Sequence, residues 1–82
     1  MPATLRLMRL TIEIDHETDG RYIAEVMELP GVMAFGDTEA TALSHARSLA
    51  LRVVAEQIEH GELASVEAAP IRFERREPVA VD

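Results

Sequence analysis

From Leu5 to Ile14 the apolar side chains Met8, Leu10, Ile12 and Ile14 alternate with Arg9, Thr11 and Glu13. A period of two marks a strand with one buried face, so a first strand is expected over about 5–14. The polar run Asp15-His16-Glu17-Thr18-Asp19-Gly20 ends in Asp-Gly, suited to a hairpin loop in which Gly20 takes positive φ. A second strand over 21–27 should therefore pair antiparallel with the first. It sets Tyr22, Ala24 and Val26 on one face and Ile23, Glu25 and Met27 on the other, and both faces are partly apolar. Leu29-Pro30-Gly31 breaks the pattern, because Pro30 cannot donate to a ladder, and a short third strand resumes over 32–35.

The period changes after Gly36-Asp37-Thr38. Thr38 is suited to cap a helix, with Asp37 and Glu39 near its positive end, and the helix is expected over 39–60 with Gly61 as the stop. At about 100° per residue, Leu43, Ala46, Ala50, Val54 and Ile58 form one stripe, flanked by Leu51 on one side and by Ala42, Leu49 and Val53 on the other. Arg47 falls inside this arc and must extend its charged end to water. Alanines 42, 46 and 50 let the helix lie close to a sheet, whereas His45, Arg52, Glu56 and Glu59 point away. Ile71 and Phe73 alternate with Arg72 and Glu74 in a fourth strand over 70–75, and residues 62–69 and the tail from Pro78 are expected to carry little order. A helix between the third and fourth strands implies a crossover. The order is thus β-β-β-α-β, an α+β domain with a mainly antiparallel sheet and one long helix on one face. One helix covers only one side of a sheet, so the other side is a candidate contact surface.

At 82 residues the chain holds one small domain, and it has no cysteine to staple it. Oligomerisation, as a dimer or tetramer through the sheet or the helix, is the stabiliser left open. No run reaches the length of a signal peptide core or a membrane span, so a soluble, cytoplasmic protein is expected. Fifteen acidic residues against eight basic ones give a formal charge of −7, which disfavours bare nucleic acid and suits a basic partner.

Little chemistry is encoded. His16, His45 and His60 show no metal-binding spacing, and the acidic run at Asp15, Glu17 and Asp19 departs from a calcium loop because a strand follows at once. Glu13 and Glu25 can face each other across the hairpin, but no nucleophile or glycine-rich phosphate loop stands beside them. No metal, cofactor or catalytic residue is expected. The interface candidates are Ile23, Glu25 and Met27 on the outer face of the second strand, and Leu49 and Val53 at the fringe of the helix stripe.

The series Ile12-Glu13, Asp15, Asp19-Gly20, Tyr22, Ala24-Glu25, Leu29-Pro30-Gly31, Gly36-Asp37-Thr38, Ala42-Leu43 and Ala46 resembles the HicB family of type II antitoxins and its single-domain relatives. The combination of Leu-Pro-Gly with Gly-Asp-Thr before a helix carries most of the resemblance, which extends over about 8–61. The resemblance implies a partial ribonuclease-H-like fold, and a protein that binds and neutralises a HicA-like toxin, a small basic ribonuclease. In such a reading Gly20, Leu29, Pro30, Gly31, Gly36, Asp37 and Thr38 are structural. Two departures stand out. Ala40 and Thr41 occupy the first helical turn where the family usually has glutamates, and residues 62–82 are too few for a fourth strand plus a DNA-binding module. No direct DNA binding is therefore expected. The alternative is a stand-alone HicB-like oligomer that binds a small ligand or serves as a scaffold; a nuclease relic using Glu13, Asp15 or Glu25 is a third reading.

Overall fold

A computed structural model describes residues 8–64 and 70–78. Four strands and one helix follow in the order β1 (Met8–His16), β2 (Tyr22–Val26), β3 (Met33–Gly36), α1 (Glu39–Glu59) and β4 (Ile71–Arg76). The strands form one sheet in the order β3-β2-β1-β4. β1 runs antiparallel to β2, and β2 to β3, whereas β4 joins β1 in parallel. The chain thus leaves one edge of the sheet at β3, crosses through α1, and returns at the opposite edge. This is the expected α+β architecture.

The alternation of β1 sends Leu10, Ile12 and Ile14 inward, where they meet Ala24 and Val26 of β2. Against them α1 lays Ala42, Ala46, Ala50 and Val54, spaced by one turn and all buried. Alanine at three of these four positions allows the helix to approach the sheet closely. Leu43, Leu49, Val53, Ile58, Ile71 and Phe73 close the margins of this core. Arg47 reaches over the edge of it, with its guanidinium 6.0 Å from the Phe73 ring centroid. Arg75 ties β4 to the first turn of α1 through an ion pair with Glu39, and it also pairs locally with Glu77.

β2 is Tyr22–Val26 and not 21–27, β3 extends to Gly36, the helix ends at Glu59 and not at His60, and β4 is Ile71–Arg76 and not 70–75; two further shifts have a local physical reason. Asp15 and His16 belong to β1 and not to the hairpin loop, because they pair with Ile23 and Tyr22, and the His16 ring stacks on Tyr22 at 4.3 Å. Their polarity hid this: Asp15 lies on the uncovered side of the sheet, which imposes no apolar requirement, and His16, though of inner-face parity, is exposed at the strand end. β3 begins one residue later than expected because Val32 closes the preceding turn, donating to the Leu29 carbonyl at 3.0 Å. The first residues of the expected first strand, 5–7, and much of the connector, 65–69, lie outside the described residues, as does the tail 79–82.

The Leu29-Pro30-Gly31-Val32 turn places proline and glycine at the two corner positions of a type II turn, and Gly31 has φ of +84°. Leu29 and Val32, buried on either side, anchor it in the core. At the start of α1, the Thr38 hydroxyl accepts from Thr41 N–H at 3.1 Å, and the Thr38 and Thr41 hydroxyls lie 2.8 Å apart. A threonine pair thus occupies the place of a Ser-to-Glu capping box. Gly36 sits where β3 turns into this cap; a Cβ there would lie 2.4 Å from the Ala42 backbone nitrogen, so only glycine fits. At its other end the helix stops in a Schellman motif: Gly61 N–H bonds Ile58 O, and Glu62 N–H bonds Gln57 O.

Candidate protein-interaction surface

Because α1 covers the inner face, the outer face of the sheet carries the side chains of the opposite parity. Strand register arranges them in rows. Phe35, Ile23 and Asp15 form one row, and Met33, Glu25, Glu13 and Arg76 the next. A third row begins at Met27, whose N–H donates to Thr11 O at 2.9 Å, and passes through Thr11 to Glu74. The result is an apolar column along β2 and β3 beside a charged column along β1 and β4.

The apolar column is open to solvent. Met27, Met33 and Phe35 are 41%, 40% and 39% exposed, large values for side chains of this size, and Ile23 lies half-buried among them. Arg21 partly shields this column, its guanidinium 4.5 Å from the Phe35 ring centroid while its Nε bonds Asp19 at 2.8 Å. The Arg21 backbone N–H and guanidinium together hold the Asp19 carboxyl below its ordinary range.

At the hairpin end the charged column becomes a cleft of about 230 Å³ lined by Glu13, Asp15, Glu17, Ile23, Glu25 and Pro78. Glu13 and Glu25 stand directly opposite each other in the ladder, an arrangement of like charges that costs stability unless it is compensated. Arg76 compensates one of the two, bonding Glu13 Oε2 at 2.5 Å and 3.1 Å. Among the described residues, Asp15, Glu17 and Glu25 form no ion pair. Nor do any three His, Cys, Asp or Glu side chains among the described residues converge as metal ligands. The calcium-loop likeness of Asp15, Glu17 and Asp19 dissolves in space, because Asp19 turns to Arg21 and away from the cleft.

The structure brings together three of the five residues picked out from sequence. Ile23, Glu25 and Met27 share the open face. Leu49 and Val53 lie on α1, half-buried against the core in the other layer, and Leu51, 46% exposed, is the large apolar side chain that the helix presents to solvent. Met33 and Phe35 were not picked out, although the alternation of β3 carries the signal: Val32 and Ala34 point inward, so their neighbours point out.

A second missed residue is Glu28. Its carboxylate accepts from Thr11 N–H at 2.6 Å and from Thr11 Oγ1–H at 2.7 Å. Because Thr11 O accepts from Met27 N–H, the Glu28 side chain occupies the place of the ladder acceptor where β2 bends away. Burial pushes the Glu28 pKa up, but the two Thr11 bonds, its own backbone and Arg76 together outweigh that and hold it below the ordinary 4.5. On the helix, His45 does not simply face solvent: its Nδ1–H donates to Phe35 O at 3.1 Å, closing one acceptor on the β3 edge.

No helix among the described residues is long and apolar enough to cross a membrane. Compared with protein-family models, with curated proteins and with solved structures, the chain matches none.

Proposed function

We propose that the chain is a HicB-like antitoxin that binds and neutralises a small, basic HicA-type ribonuclease. The observation that carries this reading is the open sheet face, where Ile23, Met27, Met33 and Phe35 expose an apolar column opposite the helix-covered core. A contiguous exposed apolar patch on a small domain is a mark of a binding surface. The residues of the Leu-Pro-Gly and Gly-Asp-Thr signature support the family reading, since the fold uses them at the corner and at the helix cap. The acidic balance suits a basic partner, because complementary fields speed encounter and discriminate among partners. In this reading the protein acts in the cytoplasm by masking its target and performs no chemistry itself. It self-associates through the helix layer, where Leu51 is exposed on one flank of the buried stripe and Leu49 and Val53 lie half-buried on the other.

The test is co-expression with a HicA-type toxin encoded beside it. Growth should be restored and RNA cleavage by the purified toxin suppressed at stoichiometric amounts of the chain. Persistent toxicity and undiminished cleavage at excess chain would overturn the reading.

A further inference from the structure

We infer that the open sheet face recognises an arginine-bearing amphipathic segment of its partner, with the guanidinium seated in the Asp15, Glu17 and Glu25 cleft and adjacent apolar side chains on Met33 and Phe35. The inference rests on the reading of this face as the binding surface and specifies what the surface selects.

Charge and register carry it. Arg76 satisfies Glu13, whereas Asp15, Glu17 and Glu25 are without an ion pair among the described residues, so the cleft holds three carboxylates with no cationic partner there, Asp15 accepting only from the His16 N–H at 2.8 Å. Ile23 contributes an apolar wall, fit for the methylene stem of a long cationic side chain, which prefers to lay its stem on apolar surface and its charge among acceptors. The planar, multiply donating guanidinium matches carboxylates on more than one side better than an ammonium does. The protein already displays this mode with its own Arg21, which bonds the Asp19 carboxylate and lies over Phe35 on the same face. A second copy of the chain is the poorer occupant. It brings a charge of −7 of its own, and face-to-face pairing sets these carboxylates against their equals.

The experiment titrates the full chain with a labelled peptide of alternating arginine and leucine, and with its counterpart in which citrulline replaces arginine, following anisotropy at low and at moderate salt. The arginine peptide is expected to bind at least tenfold more tightly than the citrulline peptide and to weaken as salt rises. The triple variant D15N/E17Q/E25Q should lose at least tenfold in affinity. The matched variant E56Q/E59Q/E62Q, with the same charge change on the helix layer, should retain it. M33S/F35S should weaken both peptides. Thermal melts of each variant establish that it is folded. Equal binding of the two peptides, equal losses in the two charge variants, or no binding of the arginine peptide overturns the inference. If the peptide fails while the toxin is still neutralised, only the recognition chemistry is wrong; if the peptide binds and no toxin is neutralised, the antitoxin reading is wrong and the surface stands.

Discussion

Replacing Glu28 by alanine removes the side chain that stands in for a ladder acceptor. The Thr11 N–H, held at 2.6 Å by the carboxylate, and the Thr11 hydroxyl, at 2.7 Å, both lose their partner. A buried donor left unsatisfied costs about 1–3 kcal/mol. Thr11 is only half-buried and Glu28 is exposed, so water takes over part of the loss and the expected cost is about 1–2 kcal/mol. For a domain of this size each kcal/mol moves the midpoint by roughly 4–8 °C, which places the drop at about 4–16 °C by differential scanning calorimetry. The pH dependence supplies a sharper check. Glu28 titrates lower in the folded chain than its ordinary 4.5, so its contribution is present above that value and is lost as pH falls through the depressed folded value. The gap between wild type and Glu28→Ala should therefore be full at pH 7 and shrink in acid. Glu28→Gln, which can accept from Thr11 N–H and donate to Thr11 Oγ1, should recover part of the stability and flatten the pH dependence. A Glu28→Ala melt superimposable on wild type at pH 7, or a gap that persists unchanged in strong acid, would refute the reasoning.

Gly31→Val forces a β-branched side chain to φ of +84°, with no atom within 4 Å of the new Cβ to blame for a clash, so the cost is conformational, about 1–2 kcal/mol, read as a lower urea midpoint with an unchanged slope. Gly36→Ala should cost more than Gly31→Ala in the same assay, because its Cβ meets the backbone of Ala42 and neither strand nor helix cap can yield independently. Ala46→Leu inserts three carbons between helix and sheet at a position with no exposure, and about 1–3 kcal/mol or more should be lost in a chemical melt. Phe35→Ser, by contrast, touches a side chain 39% exposed on the uncovered face; its melt should move by less than that of Ala46→Leu, whereas toxin neutralisation should fall.

The fold was legible because its signals are local. Alternation in β1, the Pro30-Gly31 corner and the Thr38 cap each state their own geometry, and the alanine row at 42, 46 and 50 announces a close helix–sheet contact. The surface was legible only in part. Strand alternation gives Ile23, Glu25 and Met27 a common face, but which side chains stand beside them depends on register, and β4 joins β1 only after the whole helix crossover. Met33 and Phe35 were readable from the alternation of β3, whereas the Arg76 that neutralises Glu13 from 63 residues away entered the surface only in three dimensions. Glu28 shows the same limit in a smaller way. An exposed glutamate beside a turn carries no mark in sequence that it will replace a backbone acceptor.

The sharpest test of the account is to map the surface of the isotope-labelled chain that a HicA-type toxin covers, by amide chemical-shift perturbation. The account predicts perturbations concentrated at residues 23, 25, 27, 33 and 35, with the amides of 49–53 on the helix little changed. A footprint centred on the helix layer, or no footprint at saturating toxin, would contradict it.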